Sequence, residues 1–380
     1  MKDPLLAQLT NEQHSVLHAG LKSVVHYRKS GLSLNHIIGC PLDCAYCIRH
    51  QNNNFDMKQP HQLMSNEEAV NMLVQHRYFI PHKTPLQIFN KATDPFLGAV
   101  RPHTHRTLSL LDERGLMNHT LVITRYIITE EDMRKLNQLQ HLRVTLLITF
   151  NGLKDSRIEP ISKKITIKSI EVACRQKGRT KVILYWRPIV PGWNDDEETM
   201  HCVLEAARNC DAIAFTGLFH RKEQREFFAS IGIAPPYEEI HRRKILPQNL
   251  EDIILKRYKE SGLTVPLFRK TSCAVASVHN ESDYNGHYGI PDICDICLTA
   301  QVERCAKSHK KPSEEEFATL LQRYGYDTLF KVGDGHIETI GLSEEQRYHL
   351  QHTLGFQIWD CKYPHLKQQH GRAPVGYGKL

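Results

Sequence analysis

The chain of 380 residues contains no apolar run that approaches about 18 residues, the length that a membrane-spanning helix needs. Its first residues, MKDPLLAQLTNEQHSVL, lack the basic-then-apolar order of a secretory signal peptide. There is no internal repeat, and no basic stripe with interleaved aromatic residues that would follow a nucleic-acid backbone. We therefore expect a cytoplasmic protein without a membrane partner, and a nucleic-acid partner has no direct support.

The composition is that of a chain that can bury a full core, with 41% hydrophobic residues. There are 49 basic and 42 acidic residues, so the formal net charge is +7. This mild excess favours anionic partners, such as a phosphorylated small molecule or a nucleic acid, without selecting one of them.

Cysteine is frequent for a chain without an export signal, and this favours metal or redox use over a disulfide framework. Seven of the eleven cysteines fall into two clusters. The early cluster is Cys40, Cys44 and Cys47, and the late cluster is Cys273, Cys294, Cys297 and Cys305. The remaining four are interpreted as ordinary core thiols: Cys174, Cys202, Cys210 and Cys361.

Between about residue 32 and residue 269, short apolar segments alternate with amphipathic ones. Their continuous apolar character is typical of strands buried on both faces of a parallel sheet. Helix starts are recognisable, for example Ser65 with Glu68 in a capping box. The six units predict an α/β fold, a partial (β/α)6 barrel similar to a TIM barrel. The predicted strands are residues 33–39, 86–90, 120–124, 143–150, 181–186 and 212–219.

The segment GCPLDCAYCIRH, residues 39–50, spaces the early cysteines as Cys-x3-Cys-x2-Cys directly after the first predicted strand. Three thiolates can hold three irons of a 4Fe–4S cluster and leave the fourth iron open. A structural zinc site normally has four ligands, and His50 is the nearby candidate for a fourth. Both interpretations are kept at this point, and the iron–sulfur cluster is favoured.

This motif, with Tyr46 before its third cysteine, resembles the radical S-adenosylmethionine (SAM) superfamily. The resemblance runs from about residue 32 to residue 264, and the later segments are most similar to spore photoproduct lyase and the DNA-repair-photolyase-like branch. It implies that the open iron chelates SAM, that reductive cleavage yields a 5′-deoxyadenosyl radical, and that a flavodoxin or ferredoxin supplies the electron. The segments that carry the similarity are NKATDPF (90–96), LVITRYIITEEDMRKLNQL (121–139), VTLLITFNG (144–152), RIEP (157–160) and YWRPIVPGWND (185–195).

The resemblance also implies a set of SAM-binding residues. Tyr46 would lie near the adenine, and Arg125, where the relatives carry a lysine, would pair with the methionine carboxylate. Arg187 would face the ribose or the substrate, or form a structural ion pair with Glu159. The remaining expected contacts are Thr93 and Asp94, which replace the usual glycine-rich motif, and Thr149 and Asn151.

The late cysteines have spacings of 20, 2 and 7 residues. Four thiols within 33 residues can ligate a second 4Fe–4S cluster or a zinc ion. The residues around these cysteines are polar and predict no conventional hydrophobic core. We therefore expect a bound metal to order the segment. The segment DYNGHYG between these ligands offers four side chains that could face the active site: Asp283, Tyr284, His287 and Tyr288.

The sequence thus predicts an N-terminal extension (1–31), a barrel (32–269), a cysteine-cluster region (270–310) and a helical tail (311–380). The predicted function is hydrogen-atom abstraction by a radical SAM oxidoreductase or lyase. Net oxidation through the second cluster is favoured, because no lone cysteine is well placed to return a hydrogen atom. The alternatives are a lyase that repairs or modifies nucleic acid and a non-catalytic, metal-stabilised binding protein.

Overall fold

The structure is a computed structural model that describes residues 6–238 and 244–362. Residues 1–5 of the predicted extension, residues 239–243 of the predicted barrel and residues 363–380 of the predicted tail lie outside the described residues. Within the described ranges, no helix is both long enough and apolar enough to cross a bilayer.

The strands in these ranges are β1 (Ala7–Gln8), β2 (Val25–Arg28), β3 (Gly31–Leu34), β4 (Ile37–Ile38), β5 (His61–Gln62), β6 (Leu86–Ile88), β7 (His119–Thr124), β8 (Arg143–Thr149), β9 (Lys181–Ile189), β10 (Ala212–Phe219), β11 (Lys244–Ile245), β12 (Leu267–Phe268), β13 (Leu329–Val332), β14 (Ile337–Ile340) and β15 (Ile358–Asp360). The helices are α1 (Asn11–Ser15), α2 (Ala19–Lys22), α3 (Asn66–Val74), α4 (Arg101–Asp112), α5 (Glu130–Gln138), α6 (Lys163–Arg175), α7 (Glu197–Ala207), α8 (Lys222–Ser230), α9 (Gln248–Glu260), α10 (Thr271–Val278), α11 (Pro291–Cys294), α12 (Thr299–Ser308), α13 (Glu314–Tyr324) and α14 (Glu344–Leu354). A short 3₁₀ helix spans Ile48–Asn52.

Six strands, β3 and β6 to β10, pair in parallel in chain order, which confirms the predicted fold class. The strand β12 extends the parallel sheet beside β10, and β2 and β11 add antiparallel pairs. Within the described ranges β2 does not pair with β11 or β12, so the sheet is an open, partial barrel.

The two faces of the sheet bury different partners, because successive side chains of a strand point to opposite faces. Val122, Leu146 and Trp186 lie on the face that shares a core with helix residues such as Met133 and Met200. The other face carries Leu121, Leu147, Ile183, Tyr185, Ala212 and Ala214, and these residues pack with α10. The helix α10 therefore lies against the inner face of the barrel.

Three expectations about the chain need correction. The predicted first strand, residues 33–39, is split: β3 belongs to the barrel, whereas β4 pairs with β5 in a separate small sheet. Residues 270–310 do contain conventional core, because the residues from Ser272 to Ala276 in α10 are buried. The tail is not purely helical. The strands β13 and β14 lie between α13 and α14, β15 follows α14, and the three strands form one sheet.

The C-terminal segment packs back against the late cysteine region at a contact that only glycine permits. Gly286 and Gly289 both have positive φ, +70° and +66°. A Cβ atom at Gly286 would lie 2.4 Å from the carbonyl oxygen of Gly355, which ends α14, whereas a Cβ atom at Gly289 meets nothing within 4 Å.

We expect Gly286→Ala to lower the free energy of unfolding by about 1–3 kcal/mol more than Gly289→Ala, because only the first adds a backbone clash to the left-handed strain that both share. Urea unfolding of anaerobically prepared proteins with matched iron content measures the difference. Equal midpoints for the two variants would contradict this packing.

Candidate active site

A cavity of about 690 Å³ opens at the carboxyl ends of the parallel strands. Side chains that end or follow these strands line it, as expected where parallel strands present their carboxyl ends together. The early cysteine loop contributes a second part of the wall, and α10 and α14 contribute a third. The cavity is therefore enclosed by segments distant in the sequence.

The early cysteine loop is held in shape by a glycine and an arginine. Gly39 has φ +96°, and a Cβ atom there would lie 2.0 Å from the carbonyl oxygen of Gln59. The buried guanidinium of Arg49 donates hydrogen bonds to the carbonyl oxygens of Leu42 (2.6 Å) and Met57 (3.2 Å). These contacts fold the loop around one centre without using its thiols.

Cys40, Cys44 and Cys47 all line the cavity and are free thiols. Burial raises the pKa of Cys40 to about 11, and the charge of Cys47 adds to that effect. Burial also raises the pKa of Cys44 well above its usual value, with contributions from both neighbouring cysteines. Burial and the neighbouring cysteines oppose ionisation of Cys40 and Cys44, and the iron ions of a bound cluster would stabilise their thiolates.

Two of the predicted SAM contacts present unsatisfied polar groups. Thr93 and Thr149 line the cavity, and within the described ranges their buried hydroxyl oxygens have no hydrogen-bond partner. Buried hydroxyl groups are seldom left without a partner in folded proteins. These hydroxyls fit a polar ligand in the cavity, and S-adenosylmethionine has such groups.

Asp94 also lines the cavity, but its carboxylate is occupied by the protein. It accepts hydrogen bonds from the Thr124 hydroxyl (2.7 Å) and from the backbone N–H groups of Phe96 (3.0 Å) and Arg125 (3.0 Å). The side chain therefore joins the loops after β6 and β7, and the direct cofactor contact expected of it stays a prediction.

Tyr46, Arg125, Asn151 and Glu159 form one buried network. Arg125 donates to the Tyr46 hydroxyl, which itself donates to Glu159. The Asn151 amide donates to both the Tyr46 hydroxyl (3.1 Å) and the Glu159 carboxylate (3.1 Å). Burial would lower the pKa of Arg125, but the negative groups around it, first Cys44 and then Tyr46 and Glu159, raise it.

The ion pair considered between Arg187 and Glu159 is wrong, because Glu159 instead lies 3.4 Å from Arg125. Arg187 points into the cavity with its guanidinium 4.4 Å from the ring centroid of Tyr185. Within the described ranges, the buried Nε of Arg187 has no hydrogen-bond partner.

Sequence reasoning missed Tyr185 and the lysine beside it. The Tyr185 hydroxyl lies 2.9 Å from Nζ of Lys244 and 3.2 Å from the Thr271 hydroxyl. One signal was present: Tyr185 stands two positions before Arg187 on a strand, so both side chains lie on the same face. Lys244 gave no comparable signal, because it lies on the short strand β11 after a long connection.

The late cysteines also come together. The charges of Cys294, Cys297 and Cys305 all act on the Cys273 thiol, whose pKa is raised first by burial. Asp283 acts on each of the four thiols, and Nδ1 of His287 lies 3.9 Å from the sulfur of Cys273. Nδ1 of His287 lies 2.9 Å from a carboxylate oxygen of Asp283. Cys273, Asp283 and His287 bring a sulfur, a carboxylate oxygen and a ring nitrogen within 4.8 Å of one another, and this donor set fits a metal ion.

Asp283, Tyr284, His287 and Tyr288 do not line the large cavity. They line a separate one of about 240 Å³. His50 does not turn toward the early thiols, because its ring stacks on Phe55 with centroids 3.8 Å apart.

The four lone cysteines lie outside the large cavity. Cys174 and Cys202 are in α6 and α7 as predicted, and none of the four lone cysteines lines the large cavity.

We expect Tyr185 to ionise near neutral pH. Burial alone would raise its pKa, but the charges of Lys244 and Arg187 stabilise the phenolate and lower the pKa to about 7. The phenol is therefore protonated below this pH and becomes negatively charged as the pH rises through it.

The difference ultraviolet spectrum between the parent protein and Tyr185→Phe, recorded from pH 6 to pH 9, measures this ionisation. Lys244→Gln should move the transition to higher pH, whereas Lys256→Gln, on the exposed side of α9, should leave it in place. A transition near pH 10 in the parent protein would show that the two cations do not act on this phenol.

Similarity to known proteins is found among solved structures. No family model and no curated protein sequence matches the chain. Among solved structures, spore photoproduct lyase complexed with dinucleoside spore photoproduct matches with 13% identity and a TM-score of 0.47, covering 62% of this chain and 75% of that one. Streptococcus suis SuiB bound to S-adenosylmethionine matches with 10% identity and a TM-score of 0.44, covering 68% and 54% of the two chains.

Proposed function

We propose that this chain is a radical SAM enzyme that abstracts a hydrogen atom from a substrate bound in the large cavity. The observation that carries the proposal is that three free thiols and two unsatisfied hydroxyls, those of Thr93 and Thr149, belong to the wall of one cavity. A binding protein with a closed structural metal would not need such a wall, because its ligands would satisfy one another.

Cys40, Cys44 and Cys47 would hold three irons of a 4Fe–4S cluster, and Thr93 and Thr149 would contact SAM. When bound and reduced, such a cluster supplies the electron that splits SAM and releases a 5′-deoxyadenosyl radical. The protein would orient the reactants, which the position of the cavity between three separate segments supports.

Arg125 is the residue that would receive the carboxylate of SAM. Its guanidinium now shares Glu159 with Tyr46 and Asn151. A second carboxylate can share the guanidinium, because this group carries five N–H donors in a planar fork. Glu159 then keeps Arg125 oriented and neutralised while SAM is absent.

We infer a net oxidation as the reaction class. Within the described ranges, the early cysteines are the cavity's cysteine side chains, so a separate thiol that could return a hydrogen atom is missing from its wall. Lys270, Thr271 and Ser272 line the cavity, and Cys273 follows them in α10. A redox centre held by the late cysteines would thus lie directly behind the cavity wall, where it could accept an electron.

We expect Cys44→Ala to abolish 5′-deoxyadenosine formation, because two thiolates do not hold a site-differentiated cluster. The assay uses protein reconstituted anaerobically with iron and sulfide, reduced with dithionite and supplied with SAM. Cys361→Ala, at an exposed lone cysteine, is the matched control and should keep the activity. Failure of the fully loaded, reduced parent protein to form 5′-deoxyadenosine would refute the proposed function.

Metal analysis tests which metal the late cysteines bind. We expect about eight irons per chain in the reconstituted protein and about four in the double variant Cys294→Ala, Cys297→Ala, if each cysteine cluster holds a cube. Iron, sulfide and zinc are quantified on the same samples, with Cys202→Ala as the control. One zinc per chain that disappears in the double variant would assign the late site to zinc instead.

A further inference from the structure

The large cavity is strongly unbalanced in charge. Among the residues that the structure describes, ten lysines and arginines line it against four aspartates and glutamates. Several of the cations already serve the protein: Arg49 binds backbone carbonyls, Arg125 pairs with Glu159, and Arg269 forms ion pairs with Glu251 and Asp295. Seven further lysines and arginines among the described residues also line the cavity.

Five of these cations act on one another and form what we call the cationic wall, which spans β2, the turn after it, β9, β11 and the start of α10. Lys244 experiences the charges of Arg187 and Arg28, and Lys29 experiences those of Lys270 and Lys244. The members of the cationic wall are Arg28, Lys29, Arg187, Lys244 and Lys270.

Burying these cations close to one another costs electrostatic free energy. Burial lowers the pKa of Lys29 and of Lys244, and the neighbouring cations lower both further. Burial also lowers the pKa of Lys270 to about 8. Like charges gathered in a region of low dielectric repel strongly, and a bound anion offsets that repulsion.

The facing carboxylates balance the wall in part. Glu344, at the start of α14, acts on Arg28 and Lys29, and Glu251 acts on Lys270. Arg187 and Lys244 face the Tyr185 hydroxyl, which is neutral below its pKa of about 7 and negatively charged above it.

We propose that the cationic wall binds the anionic group of the substrate, a phosphate monoester or a comparable doubly charged group. Describing this ligand as the substrate rests on the proposed function, whereas the anion site itself does not. The early cysteine loop and the wall line the same cavity. An anion held at the wall would therefore fix one end of the substrate and leave its other end to face the three-cysteine loop.

The charge of the ligand follows from the composition of the wall. Charge-assisted hydrogen bonds from lysine and arginine to phosphate oxygens are short and strong, and arginine can bind two oxygens at once. Bound phosphate would offset the mutual repulsion of Lys29, Lys244 and Lys270. A neutral or cationic substrate would leave that repulsion in place.

The test is binding of inorganic phosphate to the anaerobically reconstituted full chain, measured by titration calorimetry. We expect one site per chain, weakened about tenfold or more by Lys244→Gln or Lys29→Gln, since each removes a charged donor. Lys244→Arg, which keeps the charge, should bind within a few-fold of the parent protein. Lys256→Gln, an exposed lysine on α9, is the matched control and should bind like the parent.

Two competition arms identify the source of the phosphate. We expect glycerol 3-phosphate, a small monoester with two charges, to displace inorganic phosphate. A single-stranded oligonucleotide, with one charge per phosphodiester, should not do so. Displacement by the oligonucleotide alone would overturn the assignment to a small phosphorylated molecule.

The experiments distinguish a failure of the proposed anion site from a failure of the proposed radical chemistry. Absence of phosphate binding to the parent protein, or equal binding by Lys244→Gln and Lys256→Gln, would overturn the anion site whatever the outcome of the 5′-deoxyadenosine assay. Phosphate binding that depends on Lys244 in a protein that never forms 5′-deoxyadenosine would keep the site and remove the radical chemistry.

Discussion

Parallel pairing of the barrel strands is the constraint on which the rest of this structure depends. Strands that run in one direction deliver their carboxyl ends to one edge of the sheet, and the loops that follow must gather there. Thr93, Arg125, Thr149 and Arg187 come from four different strand–helix units, yet all four line one cavity. The same pairing buries both sheet faces, which explains why the strands read as continuous apolar segments.

The inner face of the barrel is filled by an element that follows the barrel in sequence. The helix α10 packs on the inward residues of β7 to β10, and its first residues line the cavity. Its Cys273 joins the other late cysteines from within the fold. The late cysteine region is consequently part of the cavity's architecture.

The cavity has two parts that differ in their balance of positive and negative charge. Near the early cysteines, charges are matched, since Arg125 meets Glu159 and Asp94 accepts three hydrogen bonds. Across the cavity, the cationic wall gathers five basic side chains, and Glu344 and Glu251 act on three of them. Folded proteins tolerate such local costs mainly at functional sites, where a ligand later relieves them.

The sequence by itself determined the fold class, the two cysteine clusters and most of the strands, because these features are local: apolar runs, N-cap residues and cysteine spacing are read within a few positions. Only the tertiary structure decided that Glu159 meets Arg125, that α10 enters the barrel, and that Lys244 lies beside Tyr185. These contacts join residues that are 34 to 86 positions apart. No periodicity or motif encodes which distant side chains meet, since that depends on how the sheet curves and on which loops close over its edge.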